Sequence, residues 1–97
     1  MLAYFVAPNE KATLFVKSQA FKAGAGNVNN EVQYTLDGTA IFSIFAVNAA
    51  RALTTDAIPV PAGTNLANVR VRGIAAWISG AATSADLDVY EAWVEVS

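Results

Sequence analysis

Apolar and polar residues alternate along several short segments of this chain, and this two-residue period is the repeat of a half-buried β-strand. The clearest case is Glu31–Leu36, where Val32, Tyr34 and Leu36 alternate with polar neighbours. The segments that we read as strands are residues 2–6, 12–21, 31–36, 39–47, 68–79 and 86–96. We therefore predict one all-β domain spanning residues 1–97, an antiparallel β-sandwich or barrel of about six strands with little or no helix.

The stretch from Glu31 to Val47 changes character at Asp37-Gly38, which is a hairpin signal. A two-residue loop would leave Val32 and Tyr34 beside a mixed set of residues. A three-residue loop, Leu36–Gly38, pairs Tyr34 with Ala40 and gives one fully apolar face, so we predict that register. Ile41, Phe45 and Val47 then form an apolar back face on the second strand. Either the N-terminal segment or a second subunit would cover this back face.

Other segments carry turn and strand signals of their own. Residues 22–30 are rich in Gly and Asn and predict a mobile loop, and Asn48 begins a predicted helical turn that ends at Leu53. The prolines at positions 59 and 61 place residues 58–65 at a sheet edge or in a polyproline-like segment.

The last two predicted strands are amphipathic. Val69, Val71, Ala75 and Trp77 share one face, which places Trp77 in the predicted core. In the final strand the apolar phase switches between Val89 and Tyr90, and a β-bulge there would bring both apolar sets to one face.

The residue types that are missing exclude several kinds of chemistry. The chain has neither Cys nor His, so it lacks thiolate ligands, disulfides and the commonest general base. Charged residues make up 14% of the chain, against about 25% in an average domain. Twenty residues are Ala, and the net charge is −2. We interpret the low charge as a surface partly covered by another protein, the alternative being a neutral, Ala-rich soluble domain.

Acidic residues at Asp86, Asp88, Glu91 and Glu95 offer the one enzymatic option worth testing, a pair of carboxylates. Calcium binding by the same residues would require six to eight oxygen ligands. A solvated acidic strand face explains them more simply. We predict no catalytic, cofactor-binding or metal-binding residue and no enzymatic activity.

Basic residues do not form a nucleic-acid signature. Arg70 and Arg72 lie on one strand face, whereas Lys11, Lys17 and Lys22 lie near the N-terminus, and the domain is acidic overall. No window approaches the length of a membrane span, and the N-terminus lacks a secretory signal. The expectation is a protein made in the cytoplasm, with neither nucleic acid nor membrane as a partner.

Several large apolar residues are candidates for a protein interface. Trp93 falls on the face of Glu91 and Glu95, so we expect it near the surface, where it would anchor a partner or join Tyr90 in a sugar-stacking platform. Residues 1–10 would form an N-terminal arm or docking strand. The candidate interface residues are Leu2, Tyr4, Phe5, Ile41, Phe45, Val47 and Trp93.

The overall character of the chain resembles the small β-rich virion proteins of tailed bacteriophages, of the capsid decoration or cement type. The resemblance is carried by "MLAYFVAPNEKATLFVKSQ", by "VRGIAAWISGAATSADLDVYEAWVEVS", by the absence of Cys and His, and by the Ala/Thr/Asn/Val bias. It implies a virion-located homo-oligomer, a trimer as first guess, clamped onto a major capsid protein. The alternative is a carbohydrate- or receptor-binding β-sandwich module of a phage tail or fibre.

Overall fold

The computed structural model describes residues 4–97, which form six β-strands in two antiparallel three-stranded sheets. Sheet 1 has the order β4-β1-β6 and sheet 2 the order β3-β2-β5. The strands are β1 (Ala12–Ala23), β2 (Asn27–Thr35), β3 (Ile41–Val47), β4 (Arg51–Val60), β5 (Arg70–Ser79) and β6 (Ser84–Val96). A single 3₁₀ turn, Leu66–Asn68, is the one helical element of residues 4–97. The all-β antiparallel prediction is confirmed, and the arrangement is that of a sandwich rather than a barrel.

Three short connections cross from one sheet to the other and fix which edges lie together. Residues 24–26 join β1 to β2, residues 48–50 join β3 to β4, and residues 80–83 join β5 to β6. The central strands β1 and β2 are therefore flanked on one side by β3 and β4, the β3/β4 edge, and on the other by β5 and β6, the β5/β6 edge. Each edge contains one outer strand from each sheet.

The apolar core lies between the two central strands, toward the end where the N-terminal segment packs. Leu14 and Val16 of β1 point inward, as their alternation predicts, and meet Val32 of β2. Val6 also enters this cluster, so the N-terminal segment contributes to the core. At the opposite end of the sandwich the buried inward side chains are Ser18, Ala20, Val28 and Asn30, a more polar set.

The connection between β1 and β2 corrects the prediction of a mobile loop at residues 22–30. Both strands run into that segment and leave only Gly24–Gly26 between them. The Gly26 N–H donates to the Thr83 hydroxyl at 2.6 Å, which ties this turn to the β5–β6 turn. Asn30 is fully buried and its amide donates to the carbonyls of Phe21 and Ala49, both at 3.0 Å. A side chain that bridges three segments explains why a polar sequence is ordered here.

The β2–β3 hairpin has a longer loop than the predicted three residues. Tyr34 pairs with Phe42 rather than Ala40, and residues 36–40 form the loop. The Asp37 carboxylate accepts the N–H groups of Thr39 and Ala40 at 2.7 and 2.8 Å, which closes this longer turn. Side-chain acceptors of this kind stabilise loops that strand pairing alone does not predict.

A register irregularity in β3 overturns the predicted apolar back face. Val32 pairs with Phe45 and Gln33 with Ser43, so Ile44 is an extra residue opposite this step. Such a bulge shifts the side-chain phase by one residue, which turns Phe45 and Val47 inward. Phe45 packs against the core cluster. Ile41 keeps its outward position and is 53% exposed.

Strand β4 was missed in the sequence. The predicted helical turn at Asn48–Leu53 is wrong, because Arg51 already begins an extended strand paired with β1. The prediction of an edge segment around Pro59 fits better, since Pro59 lies in β4 at the edge of sheet 1.

The last two strands follow their sequence patterns closely. Val16 pairs with Ala92 and Ser18 with Val89, so the predicted bulge at Val89–Tyr90 is confirmed. In β5, Val71, Ala75 and Trp77 share the inward face, as their spacing predicts.

Candidate interaction surface

Many large apolar side chains of this chain are exposed, whereas others, including Tyr34 and Phe45, pack against the core cluster. None of the ten aromatic residues is buried, although all ten lie within residues 4–97. Eight apolar residues of the described chain are buried, and Leu14 is the largest of them. The exposed large apolar residues are Tyr4, Phe5, Phe21, Ile41, Phe42, Leu53, Trp77, Ile78, Val89, Tyr90 and Val96. Because aromatic groups dominate core and interface energetics, these exposed residues are the candidate interaction surface.

The predicted interface residues do not converge on one patch. Tyr4 and Phe5 lie in the N-terminal segment and are 47% and 60% exposed, whereas Ile41 lies on the outer face of sheet 2. Phe45 and Val47 point inward, which corrects their assignment. Leu2 lies outside the described residues. Exposure alone therefore supports three of these residues as surface contacts.

The N-terminal segment is held against its own domain. The Val6 N–H donates to the Thr64 carbonyl at 3.0 Å, and the Leu66 N–H donates to the Tyr4 carbonyl at 2.8 Å. The Tyr4 hydroxyl and the Ala7 N–H both donate to the Glu10 carboxylate, at 2.7 and 2.8 Å. Residues 4–7 are thus clamped in place, with the rings of Tyr4 and Phe5 facing solvent.

This clamp predicts a local pH response. The hydrogen bonds from Tyr4 and Ala7 lower the pKa of Glu10 from 4.5, so they hold above that value and are lost as the pH falls through the lowered pKa. We expect the Ala7 amide resonance to titrate with a midpoint below 4.5 and to lose this titration in Glu10→Gln. NMR between pH 7 and pH 2 measures it, and a midpoint at or above the ordinary carboxyl value would contradict the clamp.

Trp93 and Tyr90 make different contacts on the outer face of sheet 1. Trp93 is half-buried and stacks on Phe15, with ring centroids 5.4 Å apart and an interplanar angle of 20°. Each ring thus covers part of its neighbour's face. Tyr90 instead points its hydroxyl to Gln19, 3.4 Å from the amide oxygen. The ring that stacks on Trp93 is therefore Phe15 and not Tyr90. These contacts do not build the coplanar Trp93–Tyr90 surface that a sugar ring would need.

Charges are divided between the two outer faces. Strand β6 turns four carboxylates outward on sheet 1, and β5 turns Arg70 and Arg72 outward on sheet 2. Arg72 donates to Gln33 at 2.6 Å, and the Gln33 amide donates to Glu31 at 2.9 Å. Hydrogen bonds from the Asn29 and Gln33 side chains lower the pKa of Glu31. The four outward carboxylates are Asp86, Asp88, Glu91 and Glu95.

Concave sites are shallow in the described part of the chain. A hollow of about 130 Å³ lies beside Arg70, Arg72 and Ile41, and a wider open groove of about 580 Å³ lies between Phe5 and Phe42. A ligand pocket normally encloses most of a bound molecule, whereas both of these open broadly to solvent. Residues 4–97 contain no cluster of three acidic side chains arranged to hold a metal ion.

Sequence reasoning missed several of the most exposed apolar residues. Trp77, predicted as core, is 57% exposed, and its neighbour Ile78 is 58% exposed. Trp77 does face inward, but β5 is an edge strand, so an inward side chain there borders solvent. Two large apolar residues in succession just before Gly80 are the signal, because a single half-buried strand face accommodates only every second residue.

The fold therefore defines an antiparallel β-sandwich with an apolar surface. No protein family, curated protein or solved structure that was searched matches this chain. Within residues 4–97, no helix has the length and apolar character that a membrane crossing requires.

Proposed function

We propose that this protein is a non-enzymatic virion structural protein of the capsid decoration or cement type. It stabilises a shell by burying apolar surface against copies of itself and against a major capsid protein. The observation that carries the proposal is the exposure of six of the ten aromatic residues, namely Tyr4, Phe5, Phe21, Phe42, Trp77 and Tyr90.

Covering the exposed apolar side chains would supply binding free energy that the chain's own core does not use. Burying one large apolar side chain contributes about 1.5–3 kcal/mol. Eleven such side chains in the described residues are 37–60% exposed, so covering each of them would recover about half of that value. Protein interfaces are enriched in aromatic groups and depleted in Lys, Glu and Asp at their centres. A chain with 14% charged residues fits that composition.

Repetition on a shell explains how such a small protein would act. A shell presents many identical sites, so contacts that are weak individually add through avidity. A rigid sandwich suits this role, and the resemblance to phage decoration proteins supplies the virion location.

The test mixes the purified protein with shells assembled from the major capsid protein encoded near its gene. We expect saturable co-sedimentation at a fixed ratio to capsid subunits, and a higher dissociation temperature of the decorated shells. The matched control is the unassembled capsid subunit, which should bind at least 100-fold more weakly because it offers no avidity. Failure to sediment with shells would overturn the proposal.

A further inference from the structure

The two free edges of the sandwich differ in their protection against pairing. Within residues 4–97, each outer strand is hydrogen-bonded to a neighbouring strand on one side only. An unpaired edge is a template for a strand from another chain. At the β3/β4 edge, strand β4 carries two features that oppose such pairing. Pro59 lacks an N–H group, and Arg51 and Asp56 form an ion pair at 2.9 Å on the inward side.

The β5/β6 edge carries neither feature. Strands β5 and β6 contain no proline, and they are 10 and 13 residues long. Five of the eleven exposed large apolar residues lie on these two strands. Trp77, Ile78 and Tyr90 are each more than half exposed. This edge does carry the bulge at Val89–Tyr90 and outward charges, so a strand that pairs with it must match those charges.

Charges at this edge are complementary but separated. Arg70 and Arg72 point outward from β5 on sheet 2, whereas the carboxylates of β6 point outward on sheet 1, the opposite side of the sandwich. The one ion pair within 4 Å among the described residues is Arg51–Asp56. The basic and acidic sets at the β5/β6 edge therefore do not neutralise each other within one chain.

We propose that a second copy of this chain covers the β5/β6 edge, in a cyclic homo-oligomer whose rotation axis runs parallel to the strands. Strand β5 of one copy then pairs with β6 of the next. Strands β5 and β6 of one copy run in opposite directions. Rotation about an axis parallel to the strands leaves those directions unchanged, so β5 of one copy is antiparallel to β6 of the next. Sheet 2 of one copy continues into sheet 1 of its neighbour, and both unpaired edges are used.

The positions of the residues along the strand direction show which side chains of β5 and of the neighbour's β6 would meet. Gly73 lies against Leu87 and Val89 across the sandwich, which sets the height of β5 relative to β6. A closed ring involves no shift along its axis, so the neighbour's β6 meets β5 at this same height. Arg70 and Arg72 then lie level with the segment from Asp88 to Glu91, on the same outer face. Opposite charges on adjacent strands stabilise such a pairing.

Charge reversal tests the pairing directly, with the mass in solution measured by light scattering after size exclusion. The wild-type chain, 10.2 kDa, should run as a dimer or trimer at micromolar concentration. Arg70→Glu with Arg72→Glu, or Asp88→Lys with Glu91→Lys, should each weaken association by about 100-fold, since like charges then face each other. Combining all four substitutions in one chain, or mixing the two double variants, should restore association.

The matched control places acids on the other edge. Ser43→Glu with Ala46→Glu lies on the outer face of β3 and should leave the mass unchanged. A monomeric wild-type chain, or equal effects at the two edges, would overturn the inference. The inference rests on the self-association in the proposed function, yet the two fail separately. A monomer that decorates shells refutes only the edge pairing, and an oligomer that ignores shells refutes only the function.

Discussion

Replacing Gly26 with Ala is expected to lower the free energy of unfolding by about 2–3 kcal/mol, as overpacking of a filled site does. A Cβ at this position would collide with the carbonyl oxygen of Ala81. It would also lie 2.5 Å from the Thr83 hydroxyl and 2.9 Å from the Ser79 carbonyl oxygen. Two of these three atoms belong to the backbone, so a side-chain rotation cannot relieve the crowding. The substitution therefore separates the β1–β2 turn from the β5–β6 turn.

The control for this prediction is Gly63→Ala. Gly63 has a φ of +86° and no atom within 4 Å of an added Cβ, so its replacement costs only the left-handed strain of about 1–2 kcal/mol. Urea unfolding followed by tryptophan fluorescence compares the two variants at one protein concentration. Equal stability of the Gly26→Ala variant and the wild-type chain would show that the two turns are not packed as described.

Leu14→Ala is expected to cost about 3 kcal/mol, within the usual range for a leucine removed from a core. Leu14 is 2% exposed and lies in the core cluster with Val16 and Val32. A chain of 97 residues has a total stability of roughly 5–15 kcal/mol, so this single change removes a large share of it. The physical cause is a cavity that the two facing sheets close only in part.

Leu53→Ala is the matched control, because it removes the same atoms from a side chain that is 49% exposed. Its expected cost is below about 1 kcal/mol, as for a typical surface substitution. Thermal unfolding at a fixed protein concentration measures both variants, since self-association would shift the midpoint. A larger loss for Leu53 than for Leu14 would mean that the core is assigned to the wrong residues.

Strands, and the side chains that share a strand face, were predictable where apolar and polar residues alternate without a break. Leu14 and Val16, two positions apart, share the inward face, and the phase switch in β6 predicted its bulge. The bulge in β3 was not predicted, because the run from Ile41 to Val47 carries apolar residues on both faces of the strand. One extra residue there turns Phe45 inward without leaving a mark in the pattern. Strand β4 was not predicted, because apolar and polar residues do not alternate clearly in residues 51–56.

The interaction surface was harder to predict than the fold. The low charge suggested exposed apolar area, but the location of that area depends on which strands are edges, and edge position is a property of the whole topology. Trp77 shows the difficulty, because it faces inward on β5 and is nevertheless more than half exposed. The sequence pattern placed Arg70 and Arg72 on one strand face, and only the fold shows that this strand lies at a sheet edge.

Residue-resolved hydrogen exchange tests the central claim most directly. It compares the outward-pointing amides of the β5/β6 edge with those of the β3/β4 edge at low and high protein concentration. If a second copy covers the β5/β6 edge, its amides will exchange more slowly as concentration rises, while the β3/β4 amides remain fast. Fast exchange at both edges, independent of concentration, would contradict the claim.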